Sequence, residues 1–315
     1  MKTAKAFACT ALLLLAGCHS HDTRRLVAII VPSQDNPYFK TEADAAAARA
    51  LQLGYRVRVD AHNDDAYRQD NLIDAAIASN AAVLILDNAG SDASVSAVRR
   101  AAQAGIAVFL IDREIAAHGF AKAQIVSDND QGARLVAAEF VRSIAADTNG
   151  KQAEYVELLG RESDTNAQVR TKGFHAVLDQ SPALVKAAAQ SANWSQSEAF
   201  SKTETMLQAH SGIRGIIAGN DTMALGAAAA IKSAGLHGIK IVGFDGSPDA
   251  VEAIKSGEIQ ATALQPAVLI SRIAMDEADA FLKTGSTGKP EMQVIPCDLV
   301  VQANAAQYVN FEKRQ

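Results

Sequence analysis

Strand-length apolar runs and alanine-rich helical stretches alternate along this chain from residue 26 to residue 283, and few architectures satisfy that rhythm. The runs lie at 26–31, 55–59, 82–86, 107–111, 123–126, 153–159, 184–189, 214–218, 239–243 and 260–264. Between them, stretches with helical spacing occupy 38–53, 66–79, 92–104, 130–146, 196–209, 222–234 and 267–283. The runs are almost continuously apolar, which is the pattern of strands covered on both faces. Strand, helix, strand repeated this often predicts an α/β fold of parallel sheets flanked by helices. At 315 residues the chain exceeds the size at which one core usually stops growing, so two domains are expected.

Three of the runs end in a single polar group: "AVFLIDRE" (107–114), "GIIAGNDT" (215–222) and "KIVGFDGS" (240–247). In a parallel sheet the carboxyl ends of the strands face one edge, and ligands bind in the crevice there. Asp112, Asn220 and Asp245 should therefore collect at that edge. Any one of them alone reads as the cap of the following helix. The company of Arg113 and Phe244 makes capping a poorer account of the set. The glycine loops of nucleotide sites are missing, and "GSTGKP" (285–290) has the wrong spacing and reads as a turn. No Gly-x-Ser-x-Gly elbow occurs either. Polar strand tips without a nucleophile or a phosphate loop point to binding without turnover, with no cofactor.

Composition narrows the partners. With 49% hydrophobic and 21% charged residues, a net charge of −5 and no long basic run, nucleic acid is not an expected partner. At the N-terminus, Lys2 and Lys5 precede the apolar stretch 6–17, and Leu15-Ala16-Gly17-Cys18 resembles the bacterial lipobox. That order predicts a lipoprotein signal peptide over 1–17, lipid on Cys18 and a tether over 18–25. It places the protein on the periplasmic side of a bacterial membrane, where several acyl chains anchor stably. A plain signal peptide cleaved nearby is the alternative. With Cys9 removed and Cys18 lipidated, Cys297 is left alone, and no internal disulfide is possible. Cys297, in "QVIPCDLVV", reads as a small buried hydrophobe. No histidine spacing suggests a metal site.

From about residue 26 to 302 the chain resembles the periplasmic sugar-binding proteins of ribose-binding type. The resemblance is carried by "DNPYF" (35–39), "LIDREI" (110–115), "SDN" (127–129), "VRTKGF" (169–174), "GNDTMALGA" (219–227), "VGFDGSPDA" (242–250) and "ATALQP" (261–266), in order. It implies two Rossmann-like lobes joined by three hinge crossovers, with ligand in the cleft between them. The implied first lobe is 26–127 plus 266–297, and the second 128–265 plus 298–315, with hinges near Ser127–Asp128, Gln265–Pro266 and Asp298. The implied ligand-binding residues are Asn36, Tyr38, Phe39, Asp112 and Arg113 from the first lobe. Arg170, Trp194, Asn220, Phe244, Asp245 and Gln265 come from the second. Tyr38 and Trp194 stand where the ribose-type pattern has phenylalanine, which counts against ribose itself and leaves a small sugar or polyol.

These residue types suit a sugar on chemical grounds. Carboxylates accept from hydroxyls, guanidinium groups donate, and amides do both. Aromatic rings cover the C–H faces. Four rings in one cleft favour a pentose or short polyol over a disaccharide. Segment 160–170 is expected as a loop before Arg170 that tunes the choice. The function implied is a monomeric, non-enzymatic, lipid-anchored solute-binding protein that hands its ligand to an ABC importer. A binding protein serving signalling or a chemoreceptor shares every site feature. A lactose-repressor-type regulator would need a helix-turn-helix before Leu26, where a signal peptide stands instead.

Overall fold

The computed structural model describes residues 22–314. The expected signal peptide, Cys18 and the first half of the tether lie outside the described residues. Strand β1 (Leu26–Val31) leads to α1 (Pro37–Gln52), β2 (Arg56–Ala61), α2 (Ala66–Ala78), β3 (Val83–Leu86), α3 (Val95–Gln103), β4 (Ala107–Ile111) and β5 (Ala123–Ser127). The chain then passes through α4 (Asn129–Thr148), β6 (Ala153–Leu159), α5 (Thr165–Leu178), β7 (Leu184–Ser191), α6 (Gln196–Ala209), β8 (Ile213–Ala218) and α7 (Asp221–Ser233). β9 (Lys240–Val242), α8 (Pro248–Ser256), β10 (Ala261–Leu264), α9 (Ala267–Thr284), β11 (Met292–Ile295) and β12 (Asp298–Val301) follow, and a hairpin of β13 (Tyr308–Val309) and β14 (Glu312–Lys313) ends the fold.

Two six-stranded sheets result, in the orders β11-β5-β4-β3-β1-β2 and β12-β10-β9-β8-β6-β7. The chain changes sheet after β5, after β10 and between β11 and β12. The first sheet is parallel throughout, while β12 runs antiparallel on the edge of the second. Strand β1 shows why continuous apolar runs are needed. Val27, Ile29 and Val31 enter one core layer, and Leu26, Ala28 and Ile30 enter the layer on the opposite face. Burying each large aliphatic side chain stabilises by roughly 1.5–3 kcal/mol.

Three findings differ from the sequence reading. Residues 165–170 form no loop, because α5 begins at Thr165 and Arg170 sits in its second turn. The first turns of α5 bury Asn166 and Arg170 against polar partners, which interrupts the apolar spacing that Phe174 and Leu178 continue into the core. Helix α8 and strands β11 and β12 were likewise not anticipated. The chain end does not belong to the second lobe alone. Tyr308 packs in that lobe's core, but Phe311 packs in the first lobe's core, with its ring 5.6 Å from that of Tyr38. Cys297 is buried as expected, and burial pushes its thiol up to about 12.

Candidate functional site

The carboxyl ends of both sheets face each other across a cleft. On the first lobe, Asn36 caps α1 by accepting from the Tyr38 N–H at 3.0 Å, and Pro37 suits the first helical position. The cap fixes Tyr38 and Phe39 at the helix start, facing the cleft. Directly after β4 stand Asp112 and Arg113. Asp112 has φ 59°, in the left-handed region. On the second lobe, Asp245 follows β9 with φ 116° and meets Leu264 in an isolated bridge. A non-glycine residue held there costs on the order of 1–3 kcal/mol, and such strain concentrates at functional sites. Asn220 is a true helix cap, accepting from the Met223 N–H at 2.9 Å. Asp112 and Asp245 cap nothing, since α8 is capped by Ser247.

Arg170 organises the second-lobe wall. Its Nε donates to Asn129 Oδ1 at 2.7 Å, its Nη1 donates to the Gly219 carbonyl at 2.9 Å, and Asp245 Oδ1 lies 3.3 Å away. Gln265 Nε2 donates to the same Asp245 oxygen at 2.8 Å, while its buried Oε1 has no partner. The guanidinium lies 3.9 Å from the Phe244 ring centroid and 5.4 Å from that of Trp194. Phe244 is fully buried beneath Arg170 in the lobe core and does not line the cavity. Its role is to support the guanidinium from behind rather than to face a ligand. That corrects its sequence assignment.

Trp194 sits at φ 65° with its ring in a slot made by glycines: a Cβ at Gly160 would overlap the indole, and one at Gly219 would lie 3.1 Å from it. The indole Nε1 donates to Asp164 Oδ2 at 3.1 Å. Across the cleft, Tyr38 OH donates to Asp112 Oδ1 at 3.2 Å, and Asn166 Nδ2 donates to the Asp112 carbonyl at 3.3 Å. Asn166 Oδ1 accepts from Asn129 Nδ2 at 3.1 Å, so a relay of amides runs from Arg170 to the first lobe.

These groups line a small cavity with about 20 Å³ of space open to water. Every residue expected from the sequence lines it except Phe244, and Asp164 and Asn166 join them. Those two were missed because they cap and open α5, a helix the polar segment 160–170 concealed. The pattern Asp164-x-Asn166 at the end of a strand-to-helix turn was the available signal. Burial raises the carboxyls of Asp112 and Asp245, and Arg113 and Arg170 pull the other way. The site thus pairs carboxyl groups with guanidinium groups and adds aromatic walls and amides that both donate and accept. Among the described residues no cluster of side chains could hold a metal ion, and no helix is long and apolar enough to cross a membrane.

An α/β molecule of two sheets with a polar, aromatic-walled cavity between them is a ligand-binding architecture. The periplasmic binding protein domain model matches residues 27–287, and the chain belongs to that family. It is 52% identical to a D-apiose import binding protein of Paraburkholderia graminis, over 100% of both chains. It is 35% identical to a ribose import binding protein of Haemophilus influenzae, over 96% of this chain and 99% of that one. Among solved structures, an ABC transporter periplasmic solute-binding protein from Actinobacillus succinogenes with bound D-allose superposes with a TM-score of 0.83. It is 27% identical, over 90% of this chain and 100% of that one.

Proposed function

We propose that this protein binds D-apiose, or a sugar of the same size, between its lobes and delivers it to an ABC importer from a lipid anchor on Cys18. The observation that supports it best is the cavity itself. Its walls join carboxyl, guanidinium and amide groups to the rings of Tyr38, Phe39 and Trp194, the mixture that a monosaccharide's hydroxyls and C–H faces require. The lining residues come from both lobes, so a ligand makes its full set of contacts only when the lobes are closed. Such a ligand shifts the open–closed equilibrium toward closed, about hinges where the chain changes sheet. The preference for D-apiose over ribose rests on the higher identity to the apiose-importing relative and on Tyr38 and Trp194 at the phenylalanine positions. The relatives are binding proteins, which supports binding without turnover.

The test is calorimetry on the chain lacking residues 1–18, titrated with D-apiose, D-ribose, D-allose and myo-inositol. D-apiose is expected to bind tightest, and the emission of Trp194, the single tryptophan, should change and saturate with the heat. D-ribose binding tighter than D-apiose would reassign the ligand. No heat with any of the four would overturn the sugar site. For the anchor, Cys18→Ala should abolish lipid labelling and release the protein from membranes without changing affinity.

A further inference from the structure

Beside the sugar cavity lies a closely packed charged junction, which shares Arg113 and Asp164 with it. Charged side chains from both lobes meet there. Asp64, in the turn after β2, and Arg113 belong to the first lobe; Arg161 and Asp164, between β6 and α5, belong to the second. Arg113 Nη1 lies 3.2 Å from Asp64 Oδ1, and Arg113 Nε lies 2.8 Å from Asp164 Oδ2. That second contact is close, but the N–H is out of line, so it is an ion pair and not a hydrogen bond. Arg161 Nη2 lies 3.2 Å from Asp64 Oδ2, and the Asp164 N–H donates to the Arg161 carbonyl at 3.1 Å. The four residues close a ring, and two of its links cross the cleft.

Asp64 and Arg161 do not line the sugar cavity. Their contact cannot serve the ligand directly, yet it joins the lobes. We propose that Asp64, Arg113, Asp164 and Arg161 form a charge latch that holds the two lobes together over the cavity. A contact made in the closed form and lost in the open one biases the equilibrium toward closed. It does so whatever the ligand's identity, although the inference rests on the reading of the cavity as a site between two moving lobes. The latch has a shielded half and an open half. The side chains of Arg113 and Asp164 are 5% and 4% exposed, whereas those of Arg161 and Asp64 are 34% and 14% exposed. Salt therefore reaches the Arg161–Asp64 link first.

The chemistry supplies an unusually clean test. A neutral sugar carries no charge to screen, so any salt dependence of its binding reports protein charges that meet on closure. The experiment uses the chain lacking residues 1–18, with D-apiose and D-ribose as probes, and the variants Arg161→Ala, Asp64→Asn and the double. Asparagine tolerates the φ of 55° at position 64, so that variant keeps the turn. Each single variant should dissociate about threefold to tenfold faster with an unchanged association rate. The double should be no worse than Asp64→Asn alone, because that variant already removes the link that Arg161→Ala breaks, together with the one to Arg113. Between about 20 mM and about 500 mM salt, wild-type dissociation should accelerate as the Debye length shrinks, and the Arg161→Ala rate should stay flat. Small-angle scattering of ligand-free protein should show wild type more compact at low salt than Arg161→Ala. Salt-independent wild-type dissociation with wild-type rates in both variants would overturn the latch. Failure of wild type to bind either sugar would instead sink the proposed ligand. Scattering then decides the latch alone: identical ligand-free curves for wild type and Arg161→Ala would reject it.

Discussion

The two lobes meet at one cavity but manage their buried charge in opposite ways. In the second lobe, the carboxyls of Asp221 and Asp245 are individually hydrogen-bonded. Asp221 accepts from Thr262 Oγ1 at 2.7 Å and from the Ser247 N–H at 2.6 Å, and Asp245 is held by Arg170 and Gln265. In the first lobe, a single guanidinium faces Asp64, Asp87 and Asp112. Behind it, Glu42 and Asp87 are fully buried, and none of their four carboxyl oxygens has a hydrogen-bond partner. The second lobe is preorganised by hydrogen bonds; the first gathers buried acidic groups around one arginine at the cleft, and burial pushes Glu42 and Asp87 toward their neutral forms. Arg113 gains a further partner, Asp164, only from across the cleft.

The largest expected effect breaks the comparison at its centre. Arg113→Met removes the cation from four carboxyls at once, and Arg170→Met removes it from one. Stranding a buried partner typically costs about 3–5 kcal/mol, so both should unfold at lower urea, with Arg113→Met the worse. Both should weaken sugar binding at least about a hundredfold by calorimetry. Equal midpoints in urea would dissolve the proposed asymmetry.

A smaller effect probes preorganisation. Gly160→Ala places a methyl inside the indole of Trp194. The ring must move, at a cost of about 1–3 kcal/mol, and it breaks its hydrogen bond to Asp164 as it goes. Red-shifted emission and weaker binding should accompany the loss. A variant with wild-type emission would mean that the slot is not rigid.

The smallest effect sharpens the contrast through pH. Burial, followed by the charges of Asp87 and Asp112, raises the Glu42 carboxyl well above its usual range. The folded chain therefore binds that proton more tightly than the unfolded chain. This contribution to stability is present at low pH and is lost as pH rises from the unfolded value, about 4.3, toward the raised folded one. Glu42→Gln keeps the shape and removes the slope, so it should stabilise by about 1 kcal/mol at pH 8 and by less at pH 5. Asp221 is also raised, to about 7 and mainly by burial, yet its oxygens are bonded. Asp221→Asn loses one acceptor and should destabilise by about 1 kcal/mol. Thermal unfolding of both variants at the two pH values checks the pair. The same sign for both would show that bonding inside the lobes does not differ.

How much of this was legible before folding follows from the kind of signal each residue leaves. Strand β4 announces itself as five consecutive apolar residues, and Asp112 and Arg113 follow it directly, so their place at the sheet edge could be read from the chain. Asn36 and Pro37 mark the start of α1 in the same local way. Helix α5 was hard to find by periodicity, because the polar Asn166 and Arg170 are buried in its first turns and only Phe174 and Leu178, further along, reach the core. Phe244 was legible as a strand-end aromatic, but nothing local states whether it faces the cavity or lies beneath Arg170. That depends on the packing of Gly132 and Cys297 around it.

The sequence by itself determined the alternation of strands and helices and the parallel sheets that follow from it. It also determined which residues stand at the strand tips, because hydrophobic periodicity and capping act over a few neighbouring positions. Only the tertiary structure decided that Asp164 reaches Arg113, that Asn166 meets the Asp112 carbonyl 54 residues away, and that Trp194 lies between two glycines. Those contacts are made through space between lobes and loops. Their energies depend on distance and burial, which have no value until the chain has folded.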